Sequence, residues 1–152
     1  MAARTYLTVD DLVARLGGEE ADQLLGTGLR GTRSVDRGRA AAELAHVDSV
    51  IEGYVRARYP RGFAAVPAVL AGIAYDLVRY RLRSQGGQSS AMAQTVKDRN
   101  DEAMKLLRDV ADGRVSIDVE GDGNQPAPGA HAETVRARFP AARMTDNLKG
   151  WL

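Results

Sequence analysis

Apolar side chains recur at helical spacing in several stretches of the chain and at strand spacing in one. In residues 6–17, Leu7, Leu12 and Leu16 alternate with acids, and Thr8 stands where a helix N-cap would be, answered three residues on by Asp11. Leu7 before the cap and Leu12 four positions inside it have the spacing of a hydrophobic staple, and Gly17 and Gly18 are read as the stop. A short helical turn at 19–25 ends in Leu24 and Leu25. From about 39 to 58, Leu44, Val47, Val50, Ile51, Tyr54 and Val55 fall three and four apart, which predicts an amphipathic helix ended by Pro60. Pro67 is placed to open the next helix, which carries Val69, Leu70, Ile73, Leu77 and Val78 to about Ser84 before Gly86 and Gly87. A further helix is expected at about 90–112, with Met92, Val96, Ala103, Leu107 and Val110 inward and Gly113 as its cap.

Between and after these stretches the pattern changes. Residues 26–38 are rich in Gly and Arg with no apolar period and read as an irregular loop. Val115, Ile117 and Val119 alternate with Ser116 and Asp118, a period of two that predicts a short strand. Residues 120–136 hold Gly121, Gly123, Pro126, Pro128 and Gly129 and almost no large apolar side chain. Apolar content returns with Phe139, Met144, Leu148, Trp151 and Leu152. The expected architecture is therefore all-α: a small four-helix domain over 1–119, closed by a short strand and followed by an extended C-terminal arm over 120–152.

Composition narrows the chemistry. The 152 residues contain no Cys and two His, with 21 Lys and Arg against 20 Asp and Glu. Disulfides, thiolate nucleophiles and Cys-ligated metals are thereby excluded. No apolar run approaches a membrane span and no signal-peptide core follows the start, so a soluble intracellular protein is expected. The net charge of +1 conceals a division. Residues 1–25 carry five acids and two arginines, whereas residues 53–84 carry six arginines and one acid, Asp76. Arg79, Arg81 and Arg83 interleave with Tyr80 and Leu82; such a run serves either as a solvated face with its stems packed down or as a basic surface facing an acidic neighbour or nucleic acid.

Motifs that could carry catalysis or ligand binding fail on context. Gly26-Thr27-Gly28-Leu29-Arg30-Gly31 has the spacing of a dinucleotide fingerprint, but a helical Leu24-Leu25 precedes it where a strand is needed. Asp118, Glu120, Asp122 and Asn124 resemble the opening of a calcium loop whose closing Glu is replaced by Gly129. Neither His46 nor His131 has a ligand partner at helical spacing, and no serine sits in a nucleophile elbow. No catalytic residue, metal site or cofactor is expected.

Three segments, 6–17, 53–60 and 75–84, together resemble the Mu-like phage head–tail connector (adaptor) family of small helical neck proteins. That family opens on Tyr-Leu-Thr-x-x-Asp-Leu, matched by Tyr6, Leu7, Thr8, Asp11 and Leu12. Its central helix ends in a motif matched by Gly53, Tyr54, Arg58, Tyr59 and Pro60, with Val55 in place of Leu. Val66 and Pro67 then lead to the pattern carried by Asp76, Leu77, Arg79, Tyr80, Arg81 and Leu82. The ending, with Phe139, Arg143, Leu148, Gly150 and Trp151, is similar to the family's Arg-rich tail. The loop 18–38 and the stretch 120–136 depart from its pattern.

The resemblance implies a structural protein of the virion neck, made in the bacterial host cytoplasm. Such a protein forms a homo-oligomeric ring, a dodecamer in the usual case, under the portal protein. It presents a surface to the stopper or tail-completion protein, while genomic DNA passes through the lumen without sequence-specific binding; no membrane is involved. The tail is expected to order only in the assembly, with Phe139, Arg143, Met144, Leu148, Trp151 and Leu152 docking on the portal or a neighbouring subunit. Arg56, Arg58, Arg79, Arg81 and Arg83 are expected to bridge to acids of the adjacent subunit or to line the lumen. Two other readings stand beside this one: a tail-side completion protein of the same neck, and a small helical DNA-binding regulatory or packaging protein, which would bind duplex DNA with a steep salt dependence.

Overall fold

The computed structural model describes residues 5–29, 33–85 and 94–117. Among these residues the fold is all-α apart from one small hairpin: helices α1 (Val9–Leu16), α2 (Gly18–Leu25), α3 (Arg37–Val55), α4 (Ala68–Gln85) and α5 (Gln94–Ala111), with β1 (Gly26–Thr27) and β2 (Ser34–Val35). The helix α1 starts as its sequence predicts. Thr8 Oγ1 accepts the Asp11 N–H at 3.1 Å and donates to the Asp11 carboxylate at 2.6 Å. Leu7 and Leu12 are both buried beside this cap.

The turn at 19–25 is a full helix, and Gly18 opens it instead of stopping α1. Gly17 makes the corner between the two helices at φ 78°, a backbone that favours Gly. The loop 26–38 is more ordered than its composition suggests. Gly26 pairs with Val35 and Thr27 with Ser34, antiparallel, and Asp36 N–H donates to the Leu25 carbonyl at 2.7 Å. Asp36 then caps α3 by accepting the Arg39 N–H at 2.9 Å, so this helix begins at Arg37, two residues before the apolar period does.

The long helices α3, α4 and α5 pack pairwise, and α1 and α2 lie across α3, with α2 also touching α4. Their buried residues have the expected spacing: Leu44, Val47, Ile51 and Val55 on α3; Leu70, Ile73, Leu77, Val78 and Leu82 on α4; Val96, Ala103, Leu107 and Val110 on α5. Val69 is a correction to that pattern, since it faces outward at 43% exposure while Leu70 is fully buried. Each side chain removed from water here contributes roughly 1.5–3 kcal/mol of hydrophobic free energy.

Two ends are tied by identifiable devices. Past α3 the chain tightens, Arg58 and Tyr59 both donating to the Val55 carbonyl, and Tyr59 turns into the core against Phe63 at a ring separation of 4.8 Å. Past α5, Gly113 at φ 84° donates to Val110 and Arg114 donates to Asp109, the paired bonds of a Schellman cap. The strand expected at 115–119 is not formed where the structure describes it. Val115 is folded back, its N–H donating to the Asp109 carbonyl, and the Ile117 N–H goes to the Tyr59 hydroxyl at 2.7 Å instead of to a sheet partner. The boundary proposed at residue 119 and the arm over 120–152 lie outside the described residues.

Candidate functional site

Arginines of α4 and acids of α2 and α3 converge on one side of the bundle. Arg79 and Arg83 stand one helical turn apart, so both guanidiniums reach the same carboxylate, that of Glu20 on α2. Arg79 engages it with two prongs, Nε to Oε1 and Nη2 to Oε2, each at 2.8 Å. Arg83 adds Nε and Nη2 bonds to Oε1 at 2.8 and 2.6 Å. All three side chains are largely covered. Burial by itself would raise the Glu20 carboxyl, but the hydrogen bonds and charges of Arg79 and Arg83 outweigh it and hold that carboxyl below its ordinary range. The Arg79 guanidinium is correspondingly pushed up by Glu20.

Arg81 turns the other way, onto α3. Its Nε donates to Glu43 Oε2 at 2.7 Å, and the Gln85 amide donates to Glu43 Oε1 at 2.9 Å. Burial would raise Glu43 as well; the bonds from Gln85 and Arg81 prevail and lower it. Tyr75, on the same helix, lies under the guanidiniums of Arg15 and Arg79, at 5.9 and 6.0 Å from its ring centre. The arrangement fastens α2 and α3 to α4.

The basic surface expected of Arg56, Arg58, Arg79, Arg81 and Arg83 is thus dispersed. Arg79, Arg81 and Arg83 are half-buried and satisfied by acids of their own chain. Arg58 is a correction: the tight turn after α3 carries it inward, leaving 6% of it exposed. There its Nη1 reaches the Val110 carbonyl in the last turn of α5 at 3.4 Å, and its Nε meets no partner among the described residues. The carbonyl end of a helix is where a buried cation is best tolerated. Arg56 is exposed at the end of α3. The arm residues Phe139, Arg143, Met144, Leu148, Trp151 and Leu152 lie outside the described residues, as do His131 and the acidic run from Asp118 to Gly129.

Sequence reasoning missed the receivers of these arginines, Glu20 and Glu43, although the acidic N-terminal segment and the i, i+4 spacing of Arg79 and Arg83 were visible signals. It also missed Asp48. This carboxylate is 7% exposed and accepts the Tyr6 N–H at 3.0 Å on one oxygen. Burial pushes it above the ordinary aspartate range, with the Tyr6 bond opposing. Asp48 floors a groove of about 320 Å³ between the N-terminal segment and α3, walled by Leu7, Thr8, Ala41, Leu44 and Ala45. A second groove, of about 300 Å³, opens on α3, α4 and α5 at His46, Val50, Tyr80 and Met104.

The glycine motif at 26–31 has a structural reason at its first position. A Cβ on Gly26 would collide with the Asp22 carbonyl oxygen. Among the described residues no cluster of three His, Cys, Asp or Glu side chains is set to hold a metal, and no helix is long and apolar enough to cross a membrane.

Residues 6–136 match the model of the family described as bacteriophage Mu, Gp36. The chain belongs to that family. The match spans all five helices, the arginine–glutamate network and the Asp48 groove, and runs on past the last described residue. Membership makes this a Mu-like phage protein and points to a structural or assembly role associated with the virion. No curated protein matches the chain.

Proposed function

We propose that the chain is a head–tail adaptor of the phage neck. Copies of it form a ring, a dodecamer, beneath the portal of the DNA-filled head and offer the stopper or tail a docking surface, while genomic DNA passes through the lumen. It performs no chemistry and needs no cofactor. The single observation that carries this reading is membership of the bacteriophage Mu Gp36 family across residues 6–136, which includes the helical domain and part of the chain beyond it. The fold suits the role. A ring subunit under load from packaged DNA must keep its shape, and the bonds from Glu20 and Glu43 to α4 lock the short N-terminal helices to the long ones.

The C-terminal arm is the reach of the subunit, with Phe139, Met144, Leu148, Trp151 and Leu152 as apolar anchors and Arg143 as a charged one, docking on the portal or a neighbouring subunit. The intramolecular pairing of Arg79, Arg81 and Arg83 favours this division of labour, because it leaves those guanidiniums engaged within the subunit. Ending the chain after Gly129 tests the reading in a phage lysate. DNA-filled heads and finished tails should then accumulate unjoined, with the truncated protein still helical. Normal joining by the truncated protein would contradict it.

A further inference from the structure

Arg58 is buried with half of its guanidinium unmatched among the described residues. It is 6% exposed, and its Nε is a buried nitrogen that meets no hydrogen-bond partner. Its described bond is the long one from Nη1 to the neutral Val110 carbonyl, at 3.4 Å. The edge formed by Nε and Nη2 is the same edge by which Arg79 grips both oxygens of Glu20. On Arg58 it is given no acceptor by the described residues. The carbonyl end of α5 offsets part of the cost of burying this cation, but a desolvated charge is balanced by a carboxylate.

Described acids at this end of the bundle are engaged elsewhere. Asp109 and Asp112 face Arg114, at 3.4 and 4.0 Å, and Glu52 accepts the Tyr6 hydroxyl at 2.6 Å. What lies beside Arg58 is the exit of the chain. The Gly113 N–H shares the Val110 carbonyl with Arg58 Nη1, and the Ile117 N–H is held by the hydroxyl of Tyr59, the next residue to Arg58. Residues 113–117 are therefore pinned at both ends next to the guanidinium. The chain then continues as Asp118-Val119-Glu120-Gly121-Asp122, three carboxylates in five residues with no cation. Asp118 comes first, one residue past an anchored amide, so very little further chain has to be ordered to bring its carboxylate in.

We propose that Arg58 is the docking site for the acidic start of the C-terminal arm, with the Asp118 carboxylate accepting from Nε and Nη2 of the buried guanidinium. The arm then leaves from a fixed root, at the end of the bundle where α3 and α5 finish, and the packed unit extends past Ile117. The inference goes beyond the adaptor reading and does not rest on it, since both partners belong to one chain.

The test keeps Arg58 and changes the acids, which lie outside the packed helices. In full-length protein labelled with nitrogen-15, solvent exchange of the Arg58 Nε proton and of the Ile117 amide is followed by magnetic resonance. The parent is compared with Asp118→Ala, Glu120→Gln and Asp122→Asn. The Arg58 Nε proton should exchange at least about tenfold faster in Asp118→Ala, as expected for loss of a charge-assisted hydrogen bond, and stay within about twofold of the parent in the other two. The Ile117 amide should keep its protection in all of them, because Tyr59 still holds it.

Three results overturn the proposal. An Nε proton indifferent to Asp118→Ala shows that this carboxylate is not on Arg58. Faster exchange in Glu120→Gln or Asp122→Asn with none in Asp118→Ala gives the site to a different acid. Equal acceleration of the Nε proton and the Ile117 amide in Asp118→Ala marks fraying of the chain end and not loss of a counter-ion. Each of these leaves the adaptor reading as it stands, because that reading is tested on particles and this one on the isolated chain.

Discussion

Glu20 on α2 and Arg79 on α4 meet in a two-pronged contact, Nε to Oε1 and Nη2 to Oε2, both at 2.8 Å. Because Arg83 shares the same carboxylate, one acid from the second helix holds two cations of the fourth. Glu20→Gln keeps the shape and removes the charge, leaving two half-buried guanidiniums without their counter-ion. The expected loss is about 2–4 kcal/mol, read as a lower midpoint in denaturant unfolding. Arg79→Ala and Arg83→Ala should each cost less than Glu20→Gln, and the double cycle of Glu20 with Arg79 should show coupling. A Glu20→Gln protein as stable as the parent would remove the network as a reason for the fold.

The pH dependence follows from the same contacts. Glu20 and Glu43 sit below the ordinary glutamate value of 4.5 in the folded chain, so the stability they contribute is full above that value and disappears as pH falls through their depressed folded values. Asp48 and Asp76 are raised by burial above the ordinary 3.8, which gives the opposite sign: their contribution declines as pH rises from there through their folded values. Unfolding free energy measured from about pH 3 to pH 7 should therefore fall at its acid end less steeply in Glu20→Gln than in the parent. Asp76→Asn should remove part of the opposing trend.

Tyr59 joins the end of α3 to the chain leaving α5 through one hydrogen bond, its hydroxyl accepting the Ile117 N–H at 2.7 Å in a buried setting. Tyr59→Phe leaves that N–H without its partner and should cost about 1–3 kcal/mol. The sharper readout is hydrogen exchange: the Ile117 amide loses protection in Tyr59→Phe, while Leu107 and Val110 amides keep theirs.

Gly26 offers a test of what the glycine-rich loop is for. Its Cβ position is filled by the Asp22 carbonyl, so Gly26→Ala should destabilise the hairpin and the end of α2 by about 1–3 kcal/mol. Gly28 should tolerate Ala less well than an ordinary loop residue because it sits at φ 102°. Thermal unfolding of the two variants checks both.

Much of the fold was legible because the long helices bury residues at three-and-four spacing and because Thr8 and Gly113 mark the start of α1 and the end of α5 with chemistry specific to caps. The small hairpin was not legible. Two paired residues on each side carry no periodicity, and what orders them is the Asp36 N–H on the Leu25 carbonyl, a tertiary contact. The strand expected at 115–119 shows the reverse error. Alternation at Val115, Ser116 and Ile117 mimicked a period of two, yet Ile117 joins the helical core with its N–H on Tyr59 and Val115 is turned back onto the α5 cap.

For the site, the arginines were visible and their partners were not. A count of charge by segment finds an acidic start and a basic middle but cannot say whether they meet within one chain or between two. The structure brings them together within one chain at Glu20. Asp48 was legible and was passed over: it stands four residues after Leu44 and three before Ile51, on the stripe that α3 buries.

Reconstruction of the neck in intact particles is the most direct test of the adaptor reading. The expected result is a ring of this chain between the portal and the stopper or tail, with residues 136–152 of each copy lying on the portal or on its neighbour. Density for the chain on the tail side of the stopper, or particles that are complete and infectious without it, would contradict that reading.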